Sequence, residues 1–186
     1  MSVTREKILE LGENLIRTKG YNAFSYQDIS TELGIKNAAI HYYFPSKKNL
    51  VTSIVKTNIQ RFEEMVENME SRNFDEWQQL DAFVKIYVKS RREKKKCLVG
   101  SLSPDVKTLD ESTQKELKKM VDMILRWLAF LLERGKNKGV FAFADSAESK
   151  AMVIFSSLVA SLQLSAVLGN LDYKNYCQSI LDDLRP

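Results

Sequence analysis

The sequence predicts an all-α protein of about nine helices. Only three prolines and seven glycines occur in 186 residues, so few helix-breaking positions interrupt the chain. Apolar residues recur at intervals of three and four, the spacing of helices with one buried face. Together these observations predict an N-terminal three-helix domain, residues 1–47, that contains a helix-turn-helix. A larger helical domain, residues 48–186, is expected to follow.

Composition favours a cytoplasmic protein that needs no disulfide or metal to hold its fold. The chain has 28 Lys and Arg against 24 Asp and Glu, a formal net charge of +4. This excess is too small to identify a nucleic-acid binder by itself, so the positions of the charges have to decide. The N-terminus lacks a signal-peptide core, and no apolar run of about 18 residues is free of charged or polar interruption. We therefore expect no membrane association.

The first two helices have clear start and stop signals. The first is predicted from Thr4 to Thr18, with Lys19-Gly20 at its end. The second begins after Ser25, an N-cap residue with Asp28 at the capping-box position. Gly34 supplies the left-handed residue that ends it.

The third helix is short and has an outward polar face. Asn37 is expected to cap it, and Ile40 and Phe44, four residues apart, face inward. Proline then prevents continuation, and Ser46 caps the next helix. A helix, a glycine turn and a second short helix make a helix-turn-helix, whose second helix can enter a DNA major groove.

These residues resemble a known family. The pattern Asp28-Ile29 … Leu33-Gly34-Ile35 … Ile40-His41-Tyr42-Tyr43-Phe44-Pro45-Ser46-Lys47 … Leu50 is similar to the signature of TetR/AcrR-type bacterial transcriptional regulators. The resemblance covers about the first fifty residues, and beyond them only length and helical character agree. It implies a homodimer that binds operator DNA and responds to a small-molecule inducer. The family often has Ser-Lys-Gly-Thr where this chain has Lys36-Asn37-Ala38-Ala39, so the base sequence that is read does not carry over.

Candidate DNA contacts lie on and around the third helix. Small residues allow close approach to bases, hydroxyl and imidazole groups bond base edges or phosphates, and helix N-termini attract anions. Core packing is the alternative for the tyrosines and the histidine, and for Tyr43 the two are about equally supported. The predicted set is Ser25, Tyr26, Gln27, Lys36, Asn37, Ala38, Ala39, His41, Tyr42, Tyr43 and Lys47.

The remaining helices are predicted at Lys47–Met69, Asp75–Lys89, near Cys97–Pro104, Glu111–Arg134, Ser146–Leu168 and Asp172–Leu184. Gly135 and Gly139 are expected to bracket the end of the seventh helix. The eighth is apolar nearly all round, so it is expected to be buried on two faces, one of them against a second subunit. In the family the last two helices build the four-helix dimer bundle. The predicted dimer residues are Phe155, Leu158, Val159, Leu162, Ile180 and Leu184.

Two kinds of input are expected in the larger domain. The resemblance implies an apolar inducer pocket, although ordinary core packing is an alternative role for each candidate residue. The candidate lining is Phe62, Met65, Phe83, Tyr87, Met120, Met123, Trp127 and Phe155.

Cys97 is a candidate for a different signal. It follows six basic residues out of eight and precedes a predicted helix, two features that lower a thiol pKa. Its surroundings resemble an electrophile- or oxidant-sensing branch of the family. A buried structural cysteine is the alternative, and for Cys177 packing is favoured.

Other functional classes have less support. The single histidine lies in the DNA-reading helix, and neither a phosphate-binding glycine loop nor a metal-ligand spacing occurs. We therefore expect no catalytic residues, no metal and no cofactor. A helical protein–protein adaptor remains the alternative, but it leaves the surface around Tyr42 unexplained. The sequence and the resemblance together predict a DNA-binding repressor that is released from its operator by a small hydrophobic ligand or by modification of Cys97. The operator, the regulated genes, the inducer and the sign of the regulation are not determined by the sequence.

Overall fold

A computed structural model describes residues 5–169 and 172–186, and in these residues it is all-α, as predicted. Nine α-helices and one 3-10 helix follow in order, and this part of the chain contains no strand. The expected start of the first helix at Thr4 lies outside the described residues. The α-helices are α1 (Arg5–Lys19), α2 (Tyr26–Leu33), α3 (Asn37–Tyr43), α4 (Lys47–Ser71), α5 (Glu76–Arg92), α6 (Leu98–Leu102), α7 (Glu111–Asn137), α8 (Ala147–Leu168) and α9 (Tyr173–Asp182), and the 3-10 helix (Ser103–Thr108) lies between α6 and α7.

The chain forms two compact units that interleave along the sequence. Unit 1 contains the chain up to Phe62 together with Leu98–Met120, and unit 2 contains Glu63–Cys97 and Val121–Pro186. Helices α4 and α7 therefore contribute residues to both units. The division into a DNA-binding domain, 1–47, and a regulatory domain, 48–186, concerns function and stays a prediction.

Unit 1 has an aliphatic core that holds the first four helices. Ile16 of α1 and Ile29 of α2 are fully buried, as are Ile40 of α3 and Leu50 of α4. Polar side chains reinforce this packing, because the Glu13 carboxylate accepts from Arg17 of its own helix at 3.2 Å and from Arg61 of α4 at 2.6 Å. A further buried hydrogen bond, 2.7 Å long, joins the hydroxyls of Thr52 in α4 and Thr113 in α7.

Unit 2 packs α5 against α8 and α9, with residues of α7 completing the core. Leu80, Leu128 and Leu158 are fully buried there. Glu76 is also buried, and its Oε1 lies 2.8 Å from Nε of Arg134 and 2.7 Å from Nζ of Lys138. These two cations lower the pKa of Glu76, the hydrogen bond from Lys138 being the largest cause. The burial of this carboxylate is therefore compensated by paired charge.

Several predicted helix boundaries differ from the observed ones, among them the end of α5, which continues to Arg92. Asn37 is the first residue of α3, and Lys36 occupies the N-cap without a side-chain hydrogen bond to the helix. The end of α7, Asn137, lies between Gly135 and Gly139 as predicted, but the helix runs past Arg134 and includes Gly135. The missing side chain of Gly135 makes room for the ring of Phe141. A glycine in a helical pattern can mark close packing as well as an end.

Helix α8 is the one helix in the described part of the chain that is long and apolar enough to cross a membrane. Its buried residues, Ile154, Leu158 and Leu162, form part of the core of unit 2. Buried core helices of globular proteins can be as long and as apolar, so length and composition alone do not make α8 a membrane span.

Candidate nucleic-acid interface

Helices α2 and α3 form the predicted helix-turn-helix, and the predicted capping box is confirmed. The backbone N–H of Ser25 donates to Oδ2 of Asp28 at 2.7 Å, and the Asp28 N–H donates to Oγ of Ser25 at 3.4 Å. Hydrogen bonds from Ser25 and from Lys19 lower the pKa of Asp28 to about 2. Gly34 has φ 65° at the end of α2, as predicted, and Ile35 donates to the Ser30 carbonyl at 2.9 Å. The first two residues of the turn that sets α3 against α2 are therefore hydrogen-bonded back to α2.

Helix α3 presents a continuous exposed face. Ile40 and Phe44 are buried, as their spacing predicted, and this leaves Ala38, His41 and Tyr42 facing outward. Tyr42 is 81% exposed, unusual for a large aromatic side chain. A helix of seven residues with two small side chains and an exposed tyrosine offers both close approach and a hydroxyl to a DNA groove.

An amide pair joins the exposed edges of the two helices. Nδ2 of Asn37 donates to Oε1 of Gln27 at 3.3 Å, and Nε2 of Gln27 donates to Oγ1 of Thr31 at 3.2 Å. All three side chains are exposed. The pair fixes the orientation of two amides, the groups that bond bidentately to adenine in a major groove.

His41 has a defined tautomer in this geometry. Its Nδ1 lies 3.1 Å from the carbonyl oxygen of Pro45. A carbonyl only accepts hydrogen bonds, so Nδ1 carries the proton and, in the neutral ring, Nε2 keeps a lone pair. An edge-to-face contact with Tyr26, at 4.9 Å between centroids, further fixes the ring. With a neutral ring, Nε2 of His41 would be an oriented acceptor that can bond the amino group of cytosine or adenine.

Two of the predicted contact residues have their polar groups turned into the protein. The hydroxyl of Tyr26 donates to the Phe44 carbonyl at 2.9 Å, and Nζ of Lys47 donates to the Phe24 carbonyl at 2.6 Å. Both side chains are half-buried. The other predicted residues are exposed. Tyr43 is less exposed than Tyr42, since 38% of it is accessible and its ring packs edge-on against Tyr42.

Lys48, which is exposed in the first turn of α4, is absent from the predicted contact set. Helical spacing could not have found it. Lys47 and Lys48 each precede buried residues of α4 by three, four and seven positions, so the sequence pattern does not distinguish them. The structure does, because Lys47 is half-buried and Lys48 is exposed at the helix N-terminus.

The eight residues predicted to line a ligand pocket fall in both units. In unit 2, the ring of Phe83 lies 5.5 Å from Tyr87 and 5.3 Å from Trp127, centroid to centroid. Of the remaining five, Phe155 is buried and Met65 and Met123 are half-buried in unit 2, whereas Phe62 and Met120 are buried residues of unit 1. The structure therefore brings three of the eight into one aromatic cluster.

The predicted dimer residues are mainly core residues of their own protomer. Phe155, Leu158, Leu162 and Leu184 are buried in unit 2, and Val159 and Ile180 are half-buried. The exposed apolar residues of α8 occupy other positions, which a helix apolar on most sides does not distinguish by spacing. They are Met152, Val153, Leu164, Val167 and Leu168.

Cys97 is half-buried and directly precedes α6, as predicted from its position. Cys177 is buried, and this burial raises the pKa of its thiol to about 11. In the described residues no group of three or more histidine, cysteine or acidic side chains is arranged to hold a metal ion.

Comparison with known proteins shows that this chain is similar to bacterial transcriptional regulators. The model for bacterial regulatory proteins of the tetR family matches residues 8–54, which include α2 and α3. An HTH-type transcriptional regulator in the lacX 3′ region of Lactococcus lactis is 28% identical over 130 residues, 68% of this chain and 66% of that protein. The negative regulator of the biofilm operon icaADBC in Staphylococcus aureus, IcaR, is 23% identical over 130 residues, 63% of this chain and 69% of IcaR.

The fold comparison extends over the whole chain. A crystal structure of a TetR transcriptional regulator from Legionella pneumophila has a TM-score of 0.87 and 28% identity. The alignment covers 100% of this chain and 99% of that one. The curated sequence relatives match over only about two thirds of their length.

Proposed function

The chain belongs to the TetR family of bacterial regulatory proteins, and on this premise we propose that it is a homodimeric, sequence-specific DNA-binding repressor acting in the cytoplasm. The observation that carries the proposal is the exposed face of α3. Its inward side chains are buried, whereas its outward ones are exposed, Tyr42 to 81%.

Within this proposal the residues divide by the DNA group that they contact. Ala38 and Ala39 allow α3 to approach the bases and provide methyl contacts to thymine. Gln27, Asn37 and His41 read base edges through oriented amide and imidazole groups. Tyr42 and Tyr43 bond phosphate or sugar through their hydroxyls, and Ser25, Lys36 and Lys48 hold phosphates at helix N-termini.

Two half-sites about one helical turn apart require a two-fold dimer. The exposed apolar side of α8 supports a dimer, since Leu164 is 58% and Val167 83% exposed in the isolated protomer. Exposed apolar patches of this kind mark interaction surfaces. Of the residues predicted for the dimer interface, Val159 and Ile180 are half-buried in the protomer, so parts of them stay accessible to a second subunit.

The proposed effect on transcription is repression, since the relative IcaR is named as a negative transcriptional regulator. Release from the operator is proposed to follow binding of a small hydrophobic ligand or modification of Cys97. The cluster of Phe83, Tyr87 and Trp127 supports an apolar ligand, and the half-buried position of Cys97 beside α6 supports modification.

The test begins with selection of binding sequences from a random DNA duplex pool by the full-length protein. Affinity for the enriched duplex and for a scrambled duplex is then measured across a salt series. We expect specific binding that weakens steeply with salt, because phosphate contacts release counterions. Tyr42→Ala should reduce specific affinity, and Lys36→Ala should reduce the salt dependence.

Matched variants separate DNA contact from a general loss of structure. Tyr42→Phe keeps the ring and removes only the hydroxyl, and Lys174→Ala removes an exposed lysine of unit 2 as the counterpart of Lys36→Ala. Enrichment of no sequence, with equal weak binding to all duplexes, would contradict the proposed function and favour a protein–protein adaptor.

A further inference from the structure

Two hydrogen bonds fasten the beginning of the helix-turn-helix to its end. The Tyr26 hydroxyl, at the first residue of α2, donates to the carbonyl of Phe44, the residue after α3, at 2.9 Å. Lys47 Nζ, at the first residue of α4, donates back to the carbonyl of Phe24 at 2.6 Å. These bonds span 18 and 23 residues of sequence and run in opposite directions between the same two segments. We call this pair of bonds the clasp.

The Lys47 half of the clasp is partly removed from solvent. Its ammonium group lies 4.2 Å from the ring centroid of Phe24 and 4.8 Å from that of Tyr21. Desolvation lowers the pKa of Lys47, against smaller opposing effects from Asp28 and Asp105. Two aromatic faces and one carbonyl therefore surround the charge, an arrangement in which cation–π attraction replaces part of the lost hydration.

The Tyr26 half supports a residue of the reading face. Burial raises the pKa of Tyr26 to about 12, so its hydroxyl keeps the proton that it donates to Phe44. The same ring packs edge-on against His41 of α3. The carbonyl that follows Phe44, that of Pro45, accepts from Nδ1 of His41. Tyr26 thus holds the C-terminal end of α3 through its hydroxyl and contacts the His41 ring through its own ring.

We propose that Tyr26 and Lys47 are positioning residues that hold α3 for sequence reading, rather than contacts to DNA phosphate. The inference rests on the proposed function and deepens it. Their donor groups bond the backbone carbonyls of Phe44 and Phe24, at the two ends of the helix-turn-helix. Lys48, in contrast to Lys47, is exposed at the start of α4. The clasp sets the angle at which α3 is presented, and the specificity of base reading depends on this angle.

The salt dependence of binding distinguishes positioning from phosphate contact. Each phosphate contact of a lysine or arginine that is lost reduces the slope of log Kobs against log salt by about 0.9, whereas loss of a neutral hydroxyl contact leaves the slope unchanged. The slope therefore tests Lys47, and hydrogen exchange tests Tyr26. Lys47→Met keeps the aliphatic stem, and Tyr26→Phe keeps the ring on His41. Both variants should leave the slope unchanged while the ratio of specific to non-specific affinity falls by roughly tenfold, as expected for loss of a hydrogen bond made by a charged or buried group. Lys48→Ala is the comparison variant, expected to reduce the slope.

Hydrogen exchange tests the clasp without DNA. Amides of residues 37–44 should exchange roughly tenfold faster in Tyr26→Phe and Lys47→Met, because local opening of α3 is easier. Amides of α8 serve as the internal control and should be unaffected. A reduced salt slope in Lys47→Met, or unchanged exchange in both variants, would overturn the inference. If the wild-type protein selects no DNA sequence, the proposed function fails, and the exchange result still decides whether the clasp orders α3.

Discussion

The ring of Phe141 lies directly on the α-carbon of Gly135, in the last turns of α7. A β-carbon added at Gly135 would overlap ring atoms of Phe141. The ring is buried and has little room to move, because it also packs edge-on against Trp77 at 4.8 Å between centroids. The backbone N–H of Phe141 donates to the Gly135 carbonyl at 3.2 Å, which holds the ring in this place. Unit 2 therefore requires glycine at position 135.

This contact predicts that Gly135→Ala destabilises the protein. In an unobstructed helix the same change is favourable by about 1 kcal/mol. Here overpacking against Phe141 should reverse the sign and lower the free energy of unfolding by roughly 1–3 kcal/mol. Urea denaturation followed by circular dichroism measures the change. Phe141→Leu in the Gly135→Ala background should recover part of the loss, and a more stable single variant would contradict this reading.

The capping box of α2 predicts a contribution to acid sensitivity. The folded-state pKa of Asp28 is about 2, below the ordinary value of 3.8, chiefly because the Ser25 side chain donates to it. The unfolded chain therefore binds more protons between these values, so the stabilisation by Asp28 is present above pH 3.8 and is lost as the pH falls towards 2. Asp28→Asn should be less stable at neutral pH and should lose less stability on acidification. Denaturation midpoints across this pH range would show it, and equal pH slopes in both proteins would count against it.

The two cysteines should differ in reactivity in the folded protein. Cys177 is buried with its thiol pKa raised to about 11, so it is protonated and inaccessible at neutral pH. We expect iodoacetamide to label Cys97 first and Cys177 only after unfolding in denaturant. Mass spectrometry of the labelled peptides measures both rates. Cys97→Ser is the matched control and should remain unlabelled under native conditions.

The exposed side of α8 predicts the oligomeric state. Val167→Lys places a charge on an apolar residue that is 83% exposed in the protomer, so folding should tolerate it while dimerisation weakens. Sedimentation equilibrium should show a dimer for the wild-type protein and a shift to monomer for the variant. Ile86→Lys, an exposed apolar residue of α5 in the same unit, is the control and should remain dimeric. Equal dimer affinity in all three proteins would show that the exposed side of α8 is not the dimer interface.

The aromatic cluster in unit 2 predicts a fluorescence response to apolar ligands. The chain has two tryptophans, so Trp77→Phe leaves Trp127 as the only indole. Trp127 lies beside Phe83. A dye whose apolar ring system binds there, such as the anion 1-anilinonaphthalene-8-sulfonate, should quench its fluorescence by energy transfer. Titration of the Trp77→Phe variant measures this quenching. In a second variant, Phe83→Ala should weaken binding of the dye, and unchanged binding would remove Phe83 from the proposed site.

Much of the helix-turn-helix could be read from local signals. Ser25, Asp28 and Gly34 interact with neighbours three or four residues away, so their roles follow from sequence spacing alone. The burial of Ile40 and Phe44 likewise follows from helical periodicity. Asn37 was harder to place, because Lys36 at the N-cap and Asn37 at the first helical position differ by one residue, and the asparagine amide bonds Gln27 of another helix instead of the cap.

Local patterns were sufficient to predict the all-α class, the order of the helices and the outward face of α3, because helix periodicity and capping are properties of short segments. Long-range packing was needed to show that Tyr26 and Lys47 turn inward, that Gly135 lies within a helix, and that Leu158 and Leu162 belong to the protomer core. Each of these outcomes depends on a partner distant in sequence or on which side of an apolar helix the neighbouring helices cover. Donor direction and side-chain burial are set by such partners, and residue type and local spacing do not encode them.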